Sequence, residues 1–471
     1  MNSGLGRPGM LRVLYMPTNK PSENAAAEAA LECQALAAST GHDYVFALIE
    51  HGPSAYDPHS VLLDGLAREH AVPCLHVTRE RWEAFLDAII PAAGLAPADQ
   101  DRMHALLCPD VTAYGAGPNK AALVAAALGA DTLHRRDRDQ VFDQRPEGKV
   151  FPGVLEAAAI GRKAGDLPNV INRDEVPAQL LGGQVRFVGS TVFGDPSVDR
   201  RDLLAAGIGY VADLEALTNP SAPRTAIEQE AEDFFCGEPV ERFDHDFYEI
   251  QYTAAAGPAV ANTELGRPEV GVSCVHRVFL EFPEMPIAET LTSDYLQKDL
   301  LYQLGYPVLF QSRKMRHCYD AARASNADLD AVISYALRDL RFTILWRPWS
   351  ALHTRIRCDR SRYLMKDGSL NNDQYADDLL RASDETLPTA STVPEQFSAV
   401  YLSAALAATG EHAARLRAVA DSSASAATAI IDQVASGIAD YAWLVRRWRR
   451  LVHAAPLGQR LLTSNLVRDG R

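Results

Sequence analysis

Three short apolar runs, Leu11–Met16, Tyr44–Ile49 and Val72–Val77, alternate near the start of the chain with stretches whose Ala and Leu recur at helical spacing. Uninterrupted apolar runs of this length, bounded by loop residues, are strands buried on both faces, and alternation with helices predicts a parallel sheet. Pro17-Thr-Asn-Lys-Pro-Ser22 ends the first run and leads into a helix from Glu23 to Ala38; a helix around Ser60 to His70 follows the second. Helices are predicted over Arg79–Ala93 and Pro97–Leu107. Tyr114-Gly-Ala-Gly-Pro-Asn119 opens an Ala-rich helix to Leu128, and a strand at Ala130–His134 runs straight into Arg135-Arg-Asp-Arg-Asp139. The fold class is therefore α/β.

Beyond this frame the pattern loosens. From about Asp166 to Asp246, Gly and Pro punctuation predicts loops and insertions, with Gln184–Val188 and Gly207–Val211 as a strand pair. Thr292–Leu304 and Ser325–Leu340 read as helices around a strand at Pro307–Phe310. After Trp349 the residues are mainly helix formers, with a polar linker near Ser383 to Pro394. The expected division is a flexible N-terminus (1–10), an α/β domain (11–350) and a mainly helical C-terminal region (351–471). Met10 could serve as the start.

A chain of 471 residues with 47% hydrophobic and 23% charged residues can bury a large core. Its net charge of −15 argues against a nucleic-acid footprint, leaving room only for a locally basic pocket. Seven scattered Cys without a C-x-x-C give neither a disulfide framework nor a Cys-type zinc site. The first residues lack the apolar core of a signal peptide, and no run approaches the roughly 18 apolar residues of a spanning helix, so the expected location is the cytoplasm.

Asp137-Arg-Asp139 is the strongest local feature. Two carboxylates one residue apart at the carboxyl end of a strand can reach one hard divalent cation, Mn²⁺ or Mg²⁺; the competing reading is a solvated acidic loop. Arg135, Arg136, Arg313 and Arg316 are candidates to neutralise phosphate. Asp244-His-Asp246 reads as a solvated loop before a metal cluster. Tyr441-Ala-Trp-Leu-Val-Arg-Arg-Trp-Arg-Arg450 reads as a helix with Trp443 and Trp448 inward before a membrane-surface helix. Gly115-Ala-Gly117 is neither a P-loop nor a dinucleotide fingerprint.

The order strand, Pro17-Thr-Asn19, helix, strand, Glu50, Gly115-Ala-Gly-Pro-Asn119, Ala-rich helix, strand, Asp-x-Asp resembles nucleotide-sugar glycosyltransferases of the GT-A fold, especially the large inverting family called family 2. The resemblance covers roughly residues 10 to 320. It implies a GT-A-like (Rossmann-like) mixed, mostly parallel sheet flanked by helices. It places Pro17, Thr18, Asn19 and Glu50 around the nucleoside, Asn119 and Lys120 in the pocket beneath it, and Asp137 and Asp139 on metal and sugar. A second match is Ser293-Asp294-Tyr295 before a helix, Gly305-Tyr306, a strand and His317. It implies Asp294 as the general base and His317 as a third metal ligand, with His353 as a competitor. Ser293 stands where the family usually has Glu, which leaves retention open beside inversion.

The expected function is metal-dependent transfer of a sugar from a nucleotide-diphosphate sugar, most simply UDP- or GDP-linked, to a small-molecule or natural-product acceptor. Its rivals are a nucleotidyltransferase, which would want more cations in the first loop, and a catalytically silent binding or scaffold subunit. The C-terminal helices would offer a homo-oligomer surface.

Overall fold

The computed structural model describes residues 11–51, 57–145, 148–196, 198–219, 222–235, 243, 245–252, 268–318, 328–464 and 466. The strands are β1 (Leu11–Thr18), β2 (Asp43–Glu50), β3 (Cys74–Val77), β4 (Thr132–Arg136), β5 (Gln140–Arg145), β6 (Gly148–Val150), β7 (Phe187–Ser190), β8 (Val192–Gly194), β9 (Tyr248–Gln251), β10 (Glu269–His276), β11 (Val308–Gln311) and β12 (Met315–His317). Eight form a mixed sheet in the order β3-β2-β1-β4-β10-β7-β11-β9, and four form a small sheet in the order β6-β5-β12-β8. β1 is parallel to β2 and β4, while β10 runs antiparallel to both β4 and β7.

The apolar runs are buried on both faces, as their composition requires. Leu14 and Met16 of β1 meet Ala26, Ala30, Cys33 and Leu36 of the Glu23–Thr40 helix on one side. Val13 and Tyr15 meet the other side, built from Trp82, Phe85 and Ile89 of the Arg79–Ala92 helix and Leu123 and Val124 of the Ala116–Leu128 helix. Trp443, Leu444, Trp448 and Leu451 join that same layer from the far end of the chain. The C-terminal segment is thus core: Trp448 is fully buried and its indole N–H donates to the Phe279 carbonyl at 2.7 Å. Trp443 lies between the guanidinium groups of Arg102 and Arg447, 4.7 and 4.2 Å from its ring centre.

A second core is helical, assembled from Leu296–Leu304, Leu329–Cys358, Asn372–Thr386, Val393–Ala407 and the first part of the 45-residue helix Gly410–Ala454. The expected boundary at 350/351 falls inside the Leu329–Cys358 helix, which continues through Pro348. The expected linker near Ser383–Pro394 is instead the end of one helix, a 3₁₀ turn over Leu387–Thr392 and the start of the next, with Leu387, Ala390 and Val393 buried. Gly207–Val211 is likewise not a strand. Ile208–Thr218 is a helix whose Val211, Ala212 and Leu214 enter the helical core, so tertiary burial decides what a five-residue apolar run could not. Its expected partner is displaced to Phe187–Ser190.

Among the described residues no helix is long and apolar enough to cross a membrane. Because Trp448 plugs the N-terminal sheet from more than 300 positions away, Trp448→Ala should destabilise the fold by about 3–5 kcal/mol in denaturant unfolding. A loss below about 1 kcal/mol would mean that the helix end is only peripheral to that core.

Candidate functional site

The carboxyl ends of β1, β2 and β4 and the amino end of β10 meet at one edge of the sheet, which gathers Thr18, Glu50, Asp137 and Glu269. Thr18 is buried and turns inward: its hydroxyl meets Ser22 Oγ at 2.7 Å and donates to the Lys20 carbonyl at 2.7 Å. Pro17 is half-buried and Asn19 exposed. Two glycines allow the close approach of neighbouring segments here. A Cβ on Gly115 would stand 2.2 Å from the Met285 carbonyl oxygen, and one on Gly117 would stand 2.6 Å from His51 Nε2. The Gly-Ala-Gly stretch is therefore a packing device.

Glu50 is buried, with Oε1 2.7 Å from His59 Nδ1 and 2.9 Å from His76 Nε2. These three groups have ligand atoms close enough for one metal ion. However, His59 Nε2 accepts the Ser22 N–H at 3.1 Å, so the ring proton sits on Nδ1 and is donated to Glu50. A ring with both nitrogens so occupied has no lone pair for a metal. Asn119 is fully buried, and both ends of its amide hold the backbone of Glu284, with Nδ2 donating to its carbonyl and Oδ1 accepting its N–H, each at 2.8 Å. Its amide clamps the 284 segment onto the Ala-rich helix. Lys120 donates to the Glu50 carbonyl at 3.3 Å, and its ammonium is 5.6 Å from the Trp82 ring centre. Burial pushes it down to about 8.

The acidic pair divides its work. Asp137 faces Arg135, whose Nε and Nη2 donate to its two carboxylate oxygens at 2.8 and 3.3 Å. The same guanidinium donates through Nη1 to Asp294 Oδ2 at 2.6 Å, so Arg135 joins the first carboxylate of the pair to the expected base. Burial pushes the Asp137 carboxyl up, against the opposing pull of Arg135 and with a further push from Asp139. Arg136, on the opposite face of the pleated strand, forks onto Glu32 at 2.8 and 2.9 Å and reaches Glu156 at 3.0 Å inside the core.

Asp139 meets His317, with Oδ2 3.4 Å from Nε2. The register that pairs His317 with Gln140 across β12 and β5, together with the Cys318 N–H donating to the Asp139 carbonyl at 2.9 Å, fixes this juxtaposition. His317 Nδ1 donates to the Asp195 carbonyl at 2.8 Å, which aims Nε2 at the Asp139 carboxylate. A carbonyl that fixes the tautomer and aims the other nitrogen is the usual outer support of a metal-binding imidazole. Burial raises the Asp139 carboxyl, but His317 and Arg138 outweigh it and hold the group below its ordinary value.

The remaining candidates fall elsewhere. His353 packs in the helical core against Trp349 and Trp346, with ring centres 5.5 and 6.1 Å away, and burial pushes it down to about 3. It is no rival to His317. Arg313 is paired with Asp246 at 2.7 Å, Arg316 is exposed on β12, and Asp244 lies outside the described residues.

Beside Asp139 opens a cleft of about 480 Å³, with Lys20, Tyr114 and Arg138 on the sheet side and Arg200, Arg201, Tyr335, Tyr401 and Arg415 on the helical side. Sequence reasoning missed that second wall, and no motif marks it. It also missed two carboxyls, one buried and one half-buried. Glu284 accepts the Leu296 and Gln297 N–H groups at 2.9 and 3.2 Å, and burial pushes it well above the ordinary carboxyl range. Glu269 accepts the Tyr295 hydroxyl, and burial raises it too. Thr292, one residue before Ser293-Asp294, holds φ 54°, a strained conformation for a β-branched residue.

Lys120 generates a pH test. An unfolded lysine keeps its proton to about pH 10, whereas folded Lys120 releases it near 8. Between those values the unfolded state binds more protons, so stability contributed by this site rises with pH, by about 3 kcal/mol across the window. Lys120→Met should abolish that rise in unfolding measured from about pH 7 to about pH 10, and an identical pH slope in the variant would reject the assignment.

No curated protein matches the chain significantly. A family profile described as a family of unknown function matches residues 12–462, nearly the whole chain. The chain belongs to that family, DUF6271.

Proposed function

We propose that this chain is a metal-dependent glycosyltransferase with a GT-A-like fold, moving a sugar from a UDP- or GDP-type nucleotide-diphosphate sugar to a small-molecule acceptor in the cytoplasm. One observation carries the reading. Asp139, which lines the 480 Å³ cleft, meets His317, far from it in the chain, at 3.4 Å. The position supports it as well: β1 leads outward to β2 and β3 on one side while β4 and β10 lie on the other, and ligands of open α/β sheets bind in the crevice outside the carboxyl ends at such a reversal.

Asp137, Asp139 and His317 would hold Mn²⁺ or Mg²⁺, which supplies charge neutralisation for a leaving diphosphate. Lys20 and Arg138 line the same cleft and offer cationic partners to phosphate oxygens. Asp294 takes the acceptor hydroxyl proton as the acceptor oxygen bonds to the anomeric carbon. The anomeric bond to the diphosphate breaks, and its electron pair leaves with the diphosphate. Arg135 donates to Asp294 Oδ2 at 2.6 Å and fixes the position of that carboxylate. The same contact favours the second reading, a silent nucleotide-binding subunit, because it engages the oxygen that would accept the proton.

Calorimetric titration with UDP, GDP, CDP and dTDP, each with Mn²⁺ and with chelator, separates these readings from none at all. We expect one diphosphate to bind only with metal. Asp139→Ala should lower that affinity by more than the roughly 10–100-fold that loss of an outer-shell partner costs, at unchanged thermal stability. Mn²⁺-dependent affinity equal to wild type in the variant would remove the metal assignment.

A further inference from the structure

The guanidinium of Arg135 occupies the place between the carboxylates where a cation belongs. It is buried, contacts both oxygens of Asp137 at 2.8 and 3.3 Å, and contacts Asp294 at 2.6 Å. Asp137 is seated there by β10 as well: it lies over Gly271, where a Cβ would stand 2.4 Å from Asp137 Oδ2. Asp139 and His317 meanwhile face each other at 3.4 Å on the other side of the same turn. The three ligand atoms of Asp137, Asp139 and His317 do not gather within one coordination sphere, although the Asp137 and Asp139 carboxylates are near enough to perturb each other. Buried Glu284 adds a third carboxyl beside Asp294 and Arg135.

We propose that Arg135 is a resident counter-cation that competes with a divalent cation for Asp137. With Arg135 in place, the metal has two protein ligands, Asp139 and His317. The third, Asp137, is released when the guanidinium turns to a diphosphate, whose paired oxygens match its fork as the carboxylate does. The same movement uncovers Asp294 Oδ2. Arg135 is thus a positioning residue that couples metal, diphosphate and base. The role of the diphosphate rests on the glycosyltransferase reading; the competition for Asp137 does not.

The experiment is a titration of the full chain with Mn²⁺ alone, followed by the electron paramagnetic resonance signal of the free ion, then repeated with UDP and with GDP. Removing a cation at ion-pair distance changes the free energy of a carboxylate by one or more pK units, so Arg135→Met should bind Mn²⁺ about tenfold or more tightly without nucleotide. It should also bind the diphosphate more weakly. Arg135→Lys, which keeps the charge but not the fork, should lie between Arg135→Met and wild type. Asp294→Asn should move Mn²⁺ affinity the other way, since it removes the other partner of the guanidinium and leaves it to Asp137. A merely structural Arg135 would weaken Mn²⁺ binding in every variant, and that result overturns the proposal. If Arg135→Met fails to fold, the opposite signs expected for Arg135→Lys and Asp294→Asn decide it. Absence of UDP and GDP binding in wild type would strike the glycosyltransferase reading, while the Mn²⁺ series would still decide the competition.

Discussion

Two consecutive arginines on β4 organise this molecule. The pleat sends Arg136 to one face, where it is buried with Glu32, Glu156 and His134, tying the Glu23–Thr40 and Pro152–Ala159 helices to the sheet. It sends Arg135 to the other face, where it spans Asp137 and Asp294. Breaking a buried pair of the first kind leaves an uncompensated charge, typically at a cost of about 3–5 kcal/mol. Position on the strand thus assigns one cation to the packing of two helices and its neighbour to the acidic pair of Asp137 and Asp294. A shift of one residue in the β4 register would exchange them.

The cleft also depends on the helical region. Tyr335 and Arg338 come from the Leu329–Cys358 helix, Tyr401 from the Val393–Ala407 helix and Arg415 from the helix after it, and together they face Arg138 and Asp139 across the opening. Arg415 is held by Asp202, Arg200 by Asp339, and Arg201 by Asp199, so much of that wall is an ion-paired surface with defined side-chain positions.

The legible part of the sequence was the part whose signal is local. β1 to β4 could be read because a strand buried on both faces is apolar throughout, and Asp137-Arg-Asp139 could be read because both carboxylates lie on one turn. The meeting of Asp139 with His317 was accessible only through resemblance, since the pairing of β12 with β5 leaves no mark at either residue. Asn119 was assigned by resemblance to the pocket beneath the nucleoside, whereas its amide holds a backbone unit 165 positions on, a partner that no local pattern encodes. Glu50 shows the same gap, because its two histidines arrive from the following helix and from β3. His353 misled because an imidazole beside two tryptophans looks identical in sequence whether it faces a cleft or a core.

The 45-residue helix Gly410–Ala454 belongs to both cores: Leu416 to Ile438 pack with the helices, and Trp443 to Leu451 with the N-terminal sheet. During synthesis β1 to β4 and the Arg79–Ala92 and Ala116–Leu128 helices emerge first, but the helix end that completes their shared core follows about 300 residues later, tens of seconds at ordinary translation rates. Through that interval those two helices carry an open apolar surface where Trp443 to Leu451 will pack. The chain therefore cannot finish the core of its first half before its last residues arrive.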